Sequence, residues 1–191
     1  MLKGREYFKK GQLRSKRSFV KGSLEGPVKT YYESGQLKSE ADYKDGKRDG
    51  LLKEYYESGK LKTEKTFKAG NPEGLSKAYH TNGQLQKEEI LKGRHLDGLS
   101  KMYYENGQLA SEGYFRNGMR EGPVKWYYAN GQLQEEKSYR NGRQHGLARK
   151  YSKTGQLMRE EVWTCGVVEA LFKEFDGKTM VIRGNQRKIQ A

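Results

Sequence analysis

The stretch from Tyr43 to Leu61, YKDGKRDGLLKEYYESGKL, decides how this chain folds. It runs from an aromatic through a Gly-bounded connection, Lys44 to Gly50, into a β-prone segment that carries Tyr55 and Tyr56, and closes on the turn signal Ser58-Gly59. Reading outward, the Gly-Lys-Leu at 59–61 is one copy of a Gly-Gln-Leu motif that begins at Gly11, Gly35, Gly59, Gly83, Gly107, Gly131 and Gly155, always 24 residues apart. Four residues before each glycine stands Tyr7, Tyr31, Tyr55, Tyr79, Tyr103, Tyr127 or Tyr151, and a second glycine recurs from Gly26 to Gly146. A fixed period of this length is the mark of a repeat architecture. Asn-Gly, Ser-Gly or Thr-Gly between β-prone residues predicts a two-residue type I′ hairpin turn in each unit. The expectation is an all-β protein of seven 24-residue hairpin units forming an elongated, single-layer antiparallel sheet.

Register follows from the turn. With Ser58-Gly59 at the tip, Lys53 faces Glu64, and the same opposition recurs as Lys29 with Glu40, Lys77 with Glu88, Lys101 with Glu112, Lys125 with Glu136 and Arg149 with Glu160. Opposite charges facing across strands pin register and contribute about 0.2–1 kcal/mol each, so these glutamates read as structural and not as acid/base catalysts. The same register places Leu52, Tyr56, Leu61 and Phe67 on an apolar face, and Lys53, Tyr55, Lys62 and Glu64 on the other, as a half-buried antiparallel sheet requires.

Composition agrees with a thin sheet. Leu, Ile, Val and Phe make up only about 17% of the 191 residues, while 14 Tyr and 24 Gly supply sheet packing and turns. So little apolar material disfavours a deep catalytic pocket. The formal net charge is +14, and residues 1–24 alone carry net +7. At a sheet end such lysines serve either to block edge-to-edge aggregation or as a polyanion patch, for which Lys9, Lys10, Arg14, Lys16 and Arg17 are the candidates. Of the tyrosines, Tyr31, Tyr55, Tyr79, Tyr103 and Tyr127 are the candidate partner-binding row, since exposed Tyr beside Lys is the composition of a protein-binding surface.

Catalytic chemistry has no foothold in the motifs. Nucleophile-elbow, HExxH and Rossmann patterns are absent, and Gly177-Lys178-Thr179 lacks the earlier glycine of a phosphate-binding loop. His80, His95 and His145 fall in different units, and Cys165, the one cysteine, reads as a small packed side chain near the C-terminal end. No catalytic, metal or cofactor residues are therefore expected. MLKGREYFKK lacks the apolar stretch of a leader, and no segment is long and apolar enough for a bilayer, so a cytoplasmic location is expected, or a periplasmic one if a leader was removed.

Residues from about 5 to 175, and Tyr43–Leu61 most plainly, resemble the MORN repeats and more closely their bacterial variant, the YwqK-like antitoxin proteins. The resemblance implies a hairpin-repeat fold and a binding role without catalysis. It points first to an immunity or antitoxin protein that neutralises a cognate toxin or effector, and second to a membrane-surface scaffold on anionic lipid. Nucleic acid is the weaker partner, and pairing of two copies into a homodimer stays open. Residues 1–26 are expected to form a basic capping repeat, 27–175 the hairpin repeats, and 176–191 a C-terminal cap hairpin with a basic tail.

Overall fold

The computed structural model describes residues 2–175 and 180–182. Every regular element among the described residues is a strand, and the chain divides into two compact units, Met1–Leu96 and Asp97–Ala191. The first unit contains β1 (Leu2–Tyr7), β2 (Leu13–Val20), β3 (Ser23–Leu24), β4 (Gly26–Tyr31), β5 (Leu37–Lys44), β6 (Lys47–Tyr55), β7 (Leu61–Lys68), β8 (Asn71–Tyr79) and β9 (Leu85–Lys92). The second begins inside β10 (His95–Tyr103) and continues through β11 (Leu109–Arg116), β12 (Met119–Tyr127), β13 (Leu133–Arg140), β14 (Arg143–Tyr151), β15 (Leu157–Thr164), β16 (Val167–Phe175) and β17 (Met180–Ile182). Within each unit, successive long strands pair antiparallel in chain order. The expected turn at Asp176-Gly177-Lys178 and the tail from 183 onward lie outside the described residues.

The two kinds of turn are exchanged relative to expectation. At Ser58-Gly59 the loop is not a two-residue type I′ turn: the Gly59 N–H donates to the Tyr56 carbonyl at 2.9 Å and the Tyr56 N–H to the Lys60 carbonyl at 2.8 Å. Only Gly59 of the pair has positive φ, +83°. This is the three-residue loop with a glycine bulge, and it recurs in all seven units. Two-residue turns lie at the other end of the hairpins; at Lys21-Gly22, Asp45-Gly46, Ala69-Gly70, Asn117-Gly118, Asn141-Gly142 and Cys165-Gly166 both residues have positive φ, and at Gly93-Arg94 only Gly93 does. Asn106-Gly107 and Asn130-Gly131 do not adopt the primed turn because each Asn side chain accepts the N–H of the Gln two residues on, at 3.1 Å in both cases. Cys165 therefore sits exposed in a turn with φ of +52°, where a packed side chain was expected.

The bulge shifts register only near the loop. Lys53 still pairs with Glu64, but Tyr55 pairs with Leu61 in place of Lys62. Close to the loop the face assignment changes accordingly. The Lys62 ammonium lies 5.6 Å over the Tyr56 ring, bringing together two residues that a straight register would separate. Away from the loop the expected alternation holds. Val28, Ala41, Leu52 and Phe67 in the first unit, and Val124 and Ala148 in the second, are buried on one face, with Ala41, Leu52 and Phe67 in one cluster against Tyr43. At the recurring second glycine the strand carries a further bulge; Gly50 has φ of +123°, and a Cβ there would come within 3.0 Å of the Asp42 Cβ.

Candidate interaction surface

On the face opposite the buried cluster, the opposed charges form continuous rows. In the first unit the row runs Lys29, Glu40, Lys53, Glu64, Lys77, Glu88, each residue the direct cross-strand partner of the next. In the second it runs Lys101, Glu112, Lys125, Glu136, Arg149 and Glu160. Contacts include Lys29–Glu40 at 3.2 Å, Lys53–Glu64 at 3.8 Å and Lys77–Glu88 at 3.7 Å. Arg149 bridges two carboxylates, Glu160 at 2.6 Å and Glu136 at 3.0 Å, and these bonds hold its guanidinium above its ordinary pKa.

Tyrosines lock these rows from repeat to repeat. Tyr55 donates to Glu40 at 2.8 Å, Tyr79 to Glu64 at 3.0 Å and Tyr127 to Glu112 at 2.8 Å, each 15 residues back. Burial, with the neighbouring carboxylate second, pushes the Tyr55 and Tyr127 phenols up to about 12 and raises Tyr79 as well. The Tyr55 bond in turn holds the Glu40 carboxyl below its usual range. Tyr103 occupies the same register position, paired with Leu109, and Tyr31 likewise pairs with Leu37. A second tyrosine row works forward: Tyr32 bonds the Tyr55 carbonyl at 2.7 Å, Tyr56 that of Tyr79, Tyr104 that of Tyr127 and Tyr128 that of Tyr151. Hydroxyls of Tyr55, Tyr79 and Tyr127 are thus occupied within the sheet, and their rings lie half-buried beside the charge row.

Sequence reading missed an exposed apolar row on this same ladder face. Leu51, Leu75 and Ile90 in the first unit are each 40–45% exposed, and Leu75 faces Ile90 directly. In the second unit Leu99 faces Tyr114, and Leu147 lies exposed in the equivalent place. The 24-residue spacing of Leu51, Leu75 and Leu99, with Leu147 two periods farther on, was the available signal. Leu51 with Pro27, Asp42 and Lys53 lines a hollow of about 140 Å³; Leu99 with Tyr114, Pro123 and Lys125 lines one of about 220 Å³.

The candidate polyanion residues do not form one patch. Lys9 and Lys10 occupy the first hairpin's loop between Phe8 and Gly11, and the Arg14 guanidinium lies 5.9 Å over the Phe8 ring. Lys16 belongs to the charge row, where it faces Arg5 on one side and Lys29 on the other. Arg17, one residue on, belongs to the opposite face and pairs with Glu6 at 2.7 Å.

In the second unit, the face opposite its own charge row carries a hollow of about 390 Å³, lined among others by Glu135, Lys137, Gln144, Arg159, Glu161 and Trp163. Its charges are largely paired with one another: Glu135 with Lys137 at 2.9 Å, and Glu161 with Arg159 and the Trp163 indole N–H. Among the described residues, no three of His, Cys, Asp and Glu gather as a metal ion would need, and no helix is long and apolar enough to cross a membrane.

A second feature absent from the sequence reading is an acidic cap on the two-residue turns. Glu25 accepts the Asp45 N–H at 3.0 Å, Asp49 that of Ala69 at 3.1 Å, and Glu121 that of Asn141 at 2.9 Å. The glycine of the same turn donates to a strand carbonyl of the preceding repeat, as Gly70 does to Arg48 at 2.8 Å.

In comparison with known proteins, the family model for the MORN repeat variant matches residues 24–45, 48–69, 72–92, 96–117, 120–141 and 144–163, well over half of the chain. The first hairpin, β1–β2, falls outside these stretches. No curated protein was found to match the chain.

Proposed function

The chain belongs to the MORN repeat variant family, and from that premise we propose that it is a non-catalytic scaffold that binds another protein on its ladder face. The observation that carries this reading is the exposed apolar row of Leu51, Leu75 and Ile90, repeated as Leu99, Tyr114 and Leu147, beside charges that alternate in sign from Lys29 onward. Contiguous exposed apolar surface rimmed by polar groups marks interaction sites. Half-buried tyrosines fixed by their hydroxyls make that surface rigid, which lowers the ordering cost of association.

Our finer reading is that the partner is a toxin or effector that this protein neutralises. Support for it comes from the sequence resemblance and from a net charge of +14, which fits a partner other than a nuclease, whose inhibitors mimic acidic nucleic acid. The test is affinity capture with the full chain, washed at about 0.5 M salt, where screening shrinks to a few ångströms. A protein retained by the wild type and released from a Leu75→Glu, Ile90→Lys variant supports the scaffold reading. Retention by both overturns it. Growth arrest by the retained protein alone, relieved on coexpression, is the outcome that the neutralisation reading requires; a harmless partner sinks it. Anionic lipid in place of protein, released by salt, would favour the membrane-scaffold alternative.

A further inference from the structure

The alternating charge row breaks at one end of the first unit. Positions 40, 64, 88, 112, 136 and 160 are all Glu, and position 16, the preceding member of that series, is Lys. Arg5, Lys16 and Lys29 consequently face one another in succession across β1, β2 and β4, three cations in a row, with the first carboxylate at Glu40. Like charges directly opposed in a sheet are destabilising. Tyr31 meets the same substitution. Tyr55, Tyr79 and Tyr127 each donate to the Glu 15 residues back, and 15 residues back from Tyr31 stands Lys16. The fold thus lines up three cations where the series elsewhere alternates, with Lys16 standing in the position that a glutamate holds in every later repeat.

We propose that this row receives an acidic segment of the partner protein, whose Asp or Glu side chains lie over Arg5, Lys16 and Lys29 and supply the countercharge that Glu40 and Glu64 supply farther along. The proposal rests on the protein-binding reading above, because the row lies on the same face as Leu51, Leu75 and Ile90 and so is reached by a partner already seated there. A chain fits these cations better than a flat bilayer does. Arg17 points to the other face in an ion pair with Glu6, and Lys9 and Lys10 sit in the loop at the strand ends, so the basic side chains of the first hairpin do not share one plane. Arg5 and Lys16 are exposed and stand on separate strands as single charges, the arrangement that the fold itself matches with single carboxylates.

The experiment uses the full chain and three probes: a peptide of alternating Glu and Ser with its Gln-Ser counterpart, vesicles of phosphatidylserine in phosphatidylcholine, and a single-stranded oligonucleotide. The expected result is binding of the Glu-Ser peptide alone, with amide shifts confined to β1, β2 and β4. Lys16→Glu, which restores the alternation and is expected to melt no lower than the wild type, should weaken the peptide about tenfold or more. Lys16→Gln should weaken it less, and it carries the test if the first variant fails to fold. Equal peptide affinity in both variants, no peptide binding, or tighter binding of vesicles or oligonucleotide overturns the proposal. Leu75→Glu, Ile90→Lys leaves the peptide affinity unchanged under this proposal. A partner still released by that pair while Lys16→Glu has no effect removes the acidic segment and keeps the scaffold; a partner indifferent to the pair removes the scaffold.

Discussion

The Tyr55 hydroxyl donates to the Glu40 carboxylate at 2.8 Å, joining two residues from consecutive repeats. Neither is deeply buried, yet the bond carries more information than the ion pairs beside it, because a phenol held by its ring has one reach and a lysine has many. The ladder is therefore set by tyrosines, and the charges fill in around them. Its energetic weight is open to direct measurement.

Tyr55→Phe should lower stability by about 1.5–3 kcal/mol, the usual range for a hydrogen bond to a charged group. Tyr31→Phe, with Lys16 in the acceptor's position, should cost less than about 0.5 kcal/mol. Carboxyl titration by NMR should show Glu40 rising toward its ordinary value in the first variant only. Because its folded pKa is depressed, Glu40 adds stability above the ordinary carboxylate range that is lost as pH falls through its lowered value. Tyr55→Phe should shrink that acid-side loss.

Alkaline pH should loosen the sheet over a defined window. Phenols of Tyr55 and Tyr127 move from 10.0 to about 12 on folding, so the folded state holds these protons more tightly. Their contribution is fully present below pH 10 and lost as pH rises toward about 12. Chemical denaturation across that window, followed alongside phenolate absorbance, should show a fall that becomes shallower in a Tyr55→Phe, Tyr127→Phe variant.

His145 stands where Glu25, Asp49 and Glu121 cap their turns, and its Nδ1 is buried without a hydrogen-bond partner. His145→Glu should restore a cap on the Cys165 N–H and add about 1 kcal/mol. Thermal unfolding should move up by about 2–4 °C. A lower midpoint would show that the caps are incidental to the turns.

Ala69 holds φ of +49° in its two-residue turn, a region costly for a residue with an ordinary side chain. Ala69→Asn, the residue that repeats farther along use at Asn117 and Asn141, should stabilise by about 0.5–1 kcal/mol, measured by denaturant midpoint. Ala69→Val should do the reverse.

Periodicity made the strands, the Lys–Glu pairing and both tyrosine rows legible, since the 24-residue spacing repeats every element in one register. The turns were not legible from Asn-Gly alone. Asn106 and Asn117 both precede glycine, but Asn106 spends its side chain on the Gln108 N–H and keeps negative φ, while Asn117 takes φ of +50°. That one-residue difference in loop length is why Tyr56 meets Lys62 and not the Leu52 cluster. The acidic caps escaped notice because Glu25 and Asp49 reach a turn 20 residues away, and nothing local in the sequence announces a bond of that span.

Bonds of constant reach make the chain a text with a strict reading frame. Tyr32 finds the carbonyl of Tyr55 and Tyr56 that of Tyr79, so excising residues 48–71 would hand Tyr32 the carbonyl of Tyr79 and give Tyr79 the carboxylate of Glu40. An excision whose length is not a multiple of 24 would strand every hydroxyl across the join. A gene under that constraint would lengthen and shorten in quanta of 24 codons, so the extent of the surface it encodes could be reset by unequal recombination with no new packing to invent.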